Sequence, residues 1–323
     1  MKKILNSKWI LLILPLSVLI ISLGVIISMQ GIFFFHPNND ISSYNELKKD
    51  NNYEEVEIKT SKGKTIYGWL KRNKQSSSSP TVIFFLGNAE NSSSVVRNFR
   101  DSGKINYFDN FNLLIMDYPG YGKTKGFVDN DKTFLNFGTE IYDWAEKQEF
   151  VDKNNILVMG YSIGTCAATY VASVRDVTGL VLVAPYDEAL SLYNDKINVF
   201  HGPIKLLTKF KLEAKKYAPN VDVPVLIFAS KADEVINYNF SENLSHYFNN
   251  IDEFITLENI KHSYYYNQYE VWDRIQNYLY YRINNWLKKK SYYNNIAIIF
   301  IVVVTNLMFV DALLAGKDYL EVH

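Results

Sequence analysis

The chain has 323 residues, with 34 basic and 34 acidic side chains and 48% apolar residues. This length fits one large α/β domain with accessory segments, and the apolar content allows a sizeable core. The balanced charge gives no electrostatic case for binding nucleic acid. The single cysteine, Cys166, excludes an intramolecular disulfide, and we interpret it as a small buried residue at the start of a helix.

A long apolar segment from Trp9 to Phe35 carries no charge and follows Lys2, Lys3 and Lys8. It exceeds the about 20 residues that span a bilayer. The pattern predicts an uncleaved anchor with its N-terminus in the cytoplasm. A signal peptide cleaved near Ser22-Leu23-Gly24 is the alternative, which we disfavour because signal h-regions are usually only about 7–15 residues long.

A second apolar run, Ile296 to Ala315, follows the lysine cluster Lys288 to Lys290. The lysine cluster favours a cytoplasmic location for the preceding domain, whereas the first segment favours a location outside the cytoplasm. The first helix usually sets the orientation, so we expect an extracytoplasmic domain. The second run is a further span, a helix lying on the membrane, or a helix packed beside the first one.

The middle of the chain alternates between strand and helix patterns. Glu55 to Asn73 reads as a hairpin around Ser61 to Lys64. Further on, Asp131 to Gln148 and Gly164 to Ser173 are able to form helices. Five short apolar runs have the length of strands buried on both faces: TVIFFLG, NLLIMDY, NILVMGY, GLVLVAP and VPVLIFA. This alternation predicts an α/β fold with a mainly parallel central sheet flanked by helices.

The expected organisation follows from these patterns. We predict an anchor (1–36), a linker (37–52), an α/β domain (53–290) with a candidate small cap (188–220), and a C-terminal hydrophobic helix (291–323). In such sheets ligands bind beyond the carboxyl ends of the strands, so the residues after each apolar run are the candidate site.

Gly160-Tyr161-Ser162-Ile163-Gly164 follows one of these runs and precedes a helix-capable stretch. This is the strand–turn–helix context of the G-x-S-x-G motif, in which the serine sits on a sharp, strained turn. Glycines remove Cβ atoms that would clash there. Ser162 is therefore a candidate nucleophile, and the alternative is a tight turn without chemistry.

A nucleophilic serine needs a base and an orienting acid, in the order serine, acid, histidine on this architecture. Asp233 lies in the loop after VPVLIFA, and His262 lies in the loop after the next apolar run. Glu234 is the neighbouring competitor for the acid. A solvated loop acid and a surface histidine beside Lys261 are the alternatives.

The other four histidines are placed less well for catalysis. His36 adjoins the membrane segment, His323 is terminal, His201 lies in the cap and His246 lies in a predicted helix, Ser241 to Phe248.

An oxyanion hole needs two backbone N–H donors aimed at the developing charge. The backbone N–H of Ile163, after the nucleophile, is one candidate. The other is the N–H of Asn88, in the loop after the first central strand, where Gly87 permits close approach. An ordinary Asn/Gly turn is the alternative.

Six segments occur in the order typical of one superfamily: LGNAEN, DYPGYGKTKG, GYSIG, APY, SKADEVI and IKHSYY. Across Tyr53 to Leu287 the chain resembles the α/β-hydrolases. It looks most like membrane-anchored serine hydrolases of the serine aminopeptidase and acyl-protein thioesterase-like branches. Each motif is weak alone, but the ordered set is specific.

The resemblance implies a triad of Ser162, Asp233 and His262 with oxyanion donors at Asn88 and Ile163. The family's loop residues differ at three positions, where this chain has Leu86, Glu90 and Lys261.

The expected function is that of a membrane-anchored serine hydrolase, without a metal or organic cofactor, acting on an ester, thioester or lipid-like acyl substrate. A peptide hydrolase acting at N-termini is one alternative, with Asp187, Glu188 and Asp195 as candidate amine ligands. An inactive membrane interaction module is another, suggested by Leu86.

Overall fold

The computed structural model describes residues 7–283. Lys2, Lys3 and the apolar run that begins at Ile296, with the lysines before it, lie outside the described residues. The chain divides into a unit of Met1–Gln276, which holds the whole sheet and the site described below, and a second unit of Asn277–His323.

The apolar N-terminal segment forms one helix, α1 (Ser7–Phe34). Its stretch Leu12–Gly31 is 20 residues long and apolar enough to cross a membrane, although a signal sequence has the same length and composition. Leu12, Leu19 and Ile21 each expose more than half of their surface. The helix is therefore not a core helix of the domain.

The centre of the domain is one eight-stranded sheet in the order β1-β2-β4-β3-β5-β6-β7-β8. The strands are β1 (Tyr53–Lys59), β2 (Thr65–Lys71), β3 (Ser79–Phe85), β4 (Asn112–Met116), β5 (Val151–Tyr161), β6 (Gly179–Val183), β7 (Val225–Ser230) and β8 (Ile251–Leu257). The predicted hairpin is the antiparallel pair β1–β2, and β2 pairs antiparallel with β4. The pairs from β4 through to β8 are parallel. The predicted α/β fold with a mainly parallel sheet is confirmed.

Helices flank this sheet along its length. They are α2 (Ser42–Leu47), α3 (Ser92–Asp101), α4 (Asp131–Ala145), α5 (Gly164–Val174), α6 (Ala189–Lys196), α7 (Ala214–Tyr217), α8 (Tyr238–Ser245) and α9 (residues 269–283). The helix predicted from residue 241 begins three residues earlier, where the side chain of Asn237 accepts a hydrogen bond from the Asn239 N–H. Asparagine is a favoured N-cap, so the cap sets this start.

The burial of the central strands explains why their sequences are apolar. Every residue of β4, β6 and β7 is buried, which requires uninterrupted apolar runs. Two polar residues are exceptions, Ser230 at the end of β7 and Asn112 at the start of β4. The Asn112 amide donates to Thr81 Oγ1 and to the Phe150 carbonyl, each at 3.0 Å. Its carbonyl accepts from the Asn73 N–H at 2.9 Å. A fully bonded amide at the start of β4 ties neighbouring strands in register.

The carboxyl ends of the parallel strands meet at one edge, and buried Asp117 organises that edge. Its carboxylate accepts hydrogen bonds from the Ser92 N–H at 2.6 Å and from the Lys123 N–H at 3.3 Å. Gly122 passes so close that a Cβ there would lie 2.0 Å from Asp117 Oδ2. This carboxylate fixes the tight turn of the "DYPGYG" segment against the first turn of α3.

The segment of residues 188–220, between β6 and β7, is called the cap. It contains α6, α7 and the 3-10 helices Gly202–Leu207 and Ala218–Asn220. That residues 188–220 act as a cap, as the sequence predicts, stays a prediction.

Candidate active site

Ser162 lies on a strained turn between β5 and α5. Its φ of 52° is in the left-handed region, which is unusual for a residue with a side chain. The Ser162 N–H donates to the Val183 carbonyl at 2.9 Å, and its own carbonyl accepts from the Thr165 N–H at 3.0 Å. Contacts on both sides therefore hold the turn in its strained form.

The two glycines of the motif are required by close backbone contacts. A Cβ on Gly160 would lie 2.7 Å from the Gly164 carbonyl oxygen, and a Cβ on Gly164 would lie 2.3 Å from that of Phe85. The turn thus packs directly against the end of β3. This contact brings Ser162 beside the loop that follows β3.

The structure brings Ser162, His262 and Asp233 together from three separate loops. The distance from His262 Nε2 to Ser162 Oγ is 2.9 Å. His262 Nδ1 lies 3.0 Å and 2.8 Å from the two carboxylate oxygens of Asp233. This geometry suits a neutral imidazole that donates from Nδ1 to the acid and accepts the serine proton at Nε2.

The Asp233 carboxylate is held by several donors besides the histidine. The N–H groups of Val235 and Ile236 donate to its Oδ1 at 2.9 Å and 2.8 Å. The Tyr265 hydroxyl donates to Oδ2 at 3.3 Å. These bonds orient the carboxylate toward the ring.

Ser230 ties together the loops that carry Asp233 and His262. Its buried hydroxyl accepts hydrogen bonds from the Ala232 N–H at 3.2 Å and from the Ile260 N–H at 3.1 Å. Nothing in the sequence singled out this serine, because its role depends on the pairing of β7 with β8.

Tyr161 supports the His262 ring from the side. The two rings stack with centroids 5.2 Å apart, and the Tyr161 hydroxyl donates to the His262 carbonyl. The glycine–x–serine pattern leaves this position open, so sequence reasoning missed it.

Glu234 does not compete with Asp233 for the imidazole ring. Its carboxylate accepts from the backbone N–H of His262 at 3.2 Å. Glu234 thereby holds the histidine's backbone while Asp233 contacts its side chain.

The loop after β3 places Asn88 in the same pocket as Ser162 and Ile163. Among residues 7–283, the backbone N–H groups of Asn88 and Ile163 have no protein acceptor. Ala89 has a φ of 59°, which marks a sharp change of direction after Asn88. The loop therefore presents free N–H donors near the serine.

The Asn88 side chain locks this loop. Its Oδ1 accepts from the Tyr121 hydroxyl at 2.9 Å, from the His36 N–H at 2.9 Å and from the Ala89 N–H at 3.0 Å. Its Nδ2 lies 2.8 Å from His36 Nδ1. His36, which the sequence placed only beside the membrane segment, therefore belongs to the site.

The three positions that differ from the family pattern have defined contacts. The buried Leu86 carbonyl accepts from the Tyr118 hydroxyl at 2.7 Å. Glu90 Oε2 accepts from the Gly87 N–H at 2.8 Å and from the Tyr266 hydroxyl at 3.2 Å. Lys261 precedes the short helix that begins at His262. Desolvation in the pocket wall raises the pKa of Glu90 to about 7.

A pocket of about 430 Å³ opens beside Ser162. Its walls come from α1, the loop after β3, the cap and the His262 loop, and its lining is mostly apolar. The residues that line it include Phe34, Tyr186, Leu192, Lys196 and Ser263. The Tyr186 hydroxyl is buried and has no hydrogen-bond partner among residues 7–283.

The remaining histidines within the described residues lie elsewhere. His201 Nε2 lies 2.6 Å from Asn198 Oδ1 in the cap, and His246 is exposed at the end of α8.

The cap acids are engaged outside the pocket. Glu188 pairs with Lys215 at 2.6 Å and Asp195 with Lys196 at 2.8 Å, while Asp187 accepts from the Glu188 N–H at 2.9 Å.

Two family models match this chain. A serine hydrolase model covers residues 140–281, and a model for an α/β-hydrolase of unknown function covers residues 59–194. An uncharacterised Mycobacterium tuberculosis protein, Rv2307c, is 25% identical over 59% of this chain and 65% of its own length. YfhR, uncharacterised in Escherichia coli K12, is 26% identical over 66% of this chain and 72% of its own length.

Solved structures share the fold at low identity. The Pyrococcus furiosus esterase Pf2001 has a TM-score of 0.60 at 18% identity, covering 76% of this chain and 98% of its own. Est1E from Butyrivibrio proteoclasticus, with bound ferulic acid, has a TM-score of 0.58 at 18% identity, covering 71% and 99%. The chain has the α/β-hydrolase fold, and the family models support a place in that superfamily and a hydrolase activity.

Replacing Gly164 with alanine should destabilise the fold, because the new Cβ would overlap the Phe85 carbonyl. We expect a loss of about 1–3 kcal/mol, the usual cost of overpacking. Urea unfolding in detergent measures it. Ser173→Ala, on the same helix, should change stability by less than about 0.5 kcal/mol. Equal stability of Gly164→Ala and wild type would contradict the close contact.

Glu90 should make stability depend on pH. Because its pKa is raised in the folded state from 4.5 to about 7, its contribution to stability falls as pH rises through that range. Glutamine has no proton to lose. We therefore compare the difference in melting temperature, Glu90→Gln minus wild type, at two pH values. This difference should be about 2–4 °C larger at about pH 8 than at about pH 5. An equal difference at both pH values would argue against the raised pKa.

Proposed function

We propose that this protein is a membrane-anchored serine hydrolase that cleaves an acyl ester or thioester through an acyl-enzyme on Ser162. The observation that carries the proposal is the unbroken series of contacts from Ser162 Oγ through His262 to Asp233. The mostly apolar pocket beside Ser162 supports an acyl substrate.

In the first half of the reaction, Ser162 Oγ attacks the acyl carbon while its proton passes to His262 Nε2. The carbon–oxygen or carbon–sulfur bond to the leaving group breaks, and His262 returns the proton to the leaving atom. Asp233 holds the Nδ1–H tautomer and stabilises the charged ring. The products are acyl-Ser162 and an alcohol or thiol.

In the second half, His262 takes a proton from water as the water oxygen attacks the acyl carbon. The bond between that carbon and Ser162 Oγ breaks, the serine regains the proton, and a carboxylic acid leaves. In both halves the backbone N–H groups of Asn88 and Ile163 would stabilise the oxyanion. The Tyr186 hydroxyl, which has no hydrogen-bond partner in the described part of the chain, is a further donor available to the substrate.

We also propose that α1 anchors this domain in a membrane, with the domain outside the cytoplasm. The exposed apolar side chains along Leu12–Gly31 support the anchor, since they would otherwise face water. Lysines before the helix support the orientation.

A peptide hydrolase acting at N-termini is the second candidate, and Glu90 is the residue that favours it. The cap acids point elsewhere, but Glu90 lines the pocket and offers a carboxylate to an amine. Glu90→Gln distinguishes the two. For a peptide hydrolase it should abolish cleavage of aminoacyl-nitroanilides, whereas for an esterase it should leave cleavage of a p-nitrophenyl ester largely intact.

A fluorophosphonate probe tests the nucleophile directly. Full-length protein in detergent should be labelled, and Ser162→Ala should not. His262→Ala should reduce labelling by about 10²-fold or more, since the serine loses its base. Exposed His246→Ala is the control and should label like wild type. Folded protein without Ser162-dependent labelling would sink the hydrolase proposal and favour an inactive interaction module.

Asn88→Ala tests the positioning of the oxyanion loop. The variant keeps the backbone N–H but removes the ties to His36 and Tyr121. We expect kcat for a p-nitrophenyl ester to fall about tenfold, below the about 10²–10³ seen when a donor is removed, with KM nearly unchanged. Exposed Asn51→Ala is the matched control. A change in KM alone would assign Asn88 to substrate binding.

A further inference from the structure

The cap carries an exposed apolar surface next to α1. Four side chains form this cap apolar surface: Ile197, Val199, Ile204 and Leu206, with 53%, 46%, 46% and 77% of their surface exposed. The 3-10 helix Gly202–Leu207 has no buried residue. Clustered exposed apolar side chains of this kind mark a contact surface.

The segment that carries this surface is held firmly by its neighbours. Phe200 is buried, and its ring lies 5.0 Å from that of Tyr193. Its backbone N–H donates to Asn194 Oδ1 at 2.9 Å, and its carbonyl accepts from Asn194 Nδ2 at 3.2 Å. Val199 and Ile197 therefore face outward while Phe200 is anchored inward.

Gln30 fixes the position of this segment along the axis of α1. Its buried amide donates to the Leu207 carbonyl at 2.9 Å. Its Oε1 accepts from the Tyr193 hydroxyl at 2.9 Å and from the Lys209 N–H. The cap is thereby bonded to α1 one residue before the apolar stretch ends at Gly31.

The length of the apolar stretch sets where the bilayer surface lies. Its 20 residues rise about 30 Å at about 1.5 Å per residue, which matches the hydrocarbon core. Gly31 then lies at the border of that core. Leu206 precedes the residue bonded to Gln30, so this end of the cap apolar surface lies near the same level.

The charge of this segment also suits a lipid surface. Residues 197–211 include three lysines and no acidic residue. Lys205, Lys209 and Lys211 are all exposed. Lysines beside apolar side chains extend their ammonium groups to the phosphate groups of lipid headgroups while the apolar groups enter the interface.

We propose that residues 197–206 form a second membrane contact beside α1, with lipid headgroups and upper acyl chains as its occupant. Because Phe34 lies three residues after Gly31, the pocket wall begins about 4.5 Å from the hydrocarbon border. Leu192 and Lys196 of the cap line the same pocket. This inference rests on the proposed function. The substrate is then the acyl ester of a lipid that resides in the bilayer.

Lipid quenching tests the contact without requiring turnover. Leu206→Cys, in full-length protein with the buried Cys166 replaced by alanine, is labelled with NBD. The protein is placed in vesicles of phosphatidylcholine and phosphatidylglycerol that contain doxyl-labelled lipid. Val174→Cys is the control, because it is 43% exposed at the end of α5 that points away from Ser162.

We expect several-fold stronger quenching at position 206 than at position 174. Equal quenching at the two positions would overturn the membrane contact. So would disulfide pairing of two Leu206→Cys copies in place of quenching, since the surface would then bind a second chain.

Turnover tests the substrate class separately. Ile204→Glu combined with Leu206→Glu should hydrolyse soluble p-nitrophenyl acetate like wild type but lose about tenfold on a fluorogenic diacylglycerol carried in the vesicles. Val174→Glu should lose neither activity. Equal diacylglycerol hydrolysis by the double variant and wild type would overturn the substrate route. Strong quenching at position 206, together with a wild-type protein that hydrolyses neither ester, would leave the contact standing and reject the proposed function.

Discussion

The turn at Ser162 depends on one close contact, in which Gly164 packs against the carbonyl oxygens at the end of β3. This contact forces the chain to leave β5 sharply, so Ser162 takes a left-handed conformation and its hydroxyl projects from the sheet edge. It also joins the serine to the loop of Gly87 and Asn88. A bulkier residue at position 164 would move Ser162 away from the loop of Gly87 and Asn88.

The rest of the site is arranged around that turn by loops that are tied to one another. Ser230 joins the loops of Asp233 and His262. Asn88 joins the loop after β3 to His36, which lies two residues beyond the end of α1. Buried polar groups that are fully bonded restrict a site to one geometry. The contacts that Asp233, Glu234 and Tyr161 make with His262 restrict the geometry in the same way, because each contact holds a different part of the histidine.

The helix α1 consequently contributes to the candidate site. Its last residues, Gln30 and Phe34, contact the cap and line the pocket, and His36 binds the loop that carries Asn88. Removing the segment to obtain a soluble protein would remove part of the pocket wall. The helix α1, the cap and the loop after β3 therefore form one continuous structure within this unit.

The sequence alone determined the α/β fold, because strands buried on both faces need unbroken apolar runs and the intervening helices need their own periodicity. It also selected Ser162, Asp233, His262, Asn88 and Ile163, since each follows a strand whose carboxyl end meets the others at one edge. Only the tertiary structure decided the places of Ser230, Tyr161, Glu90 and His36. Their contacts join residues far apart in the chain, and no local pattern encodes such pairings. For the same reason the sequence treated Gln30 as an interruption in an apolar run, whereas the fold makes its amide the bond between helix and cap.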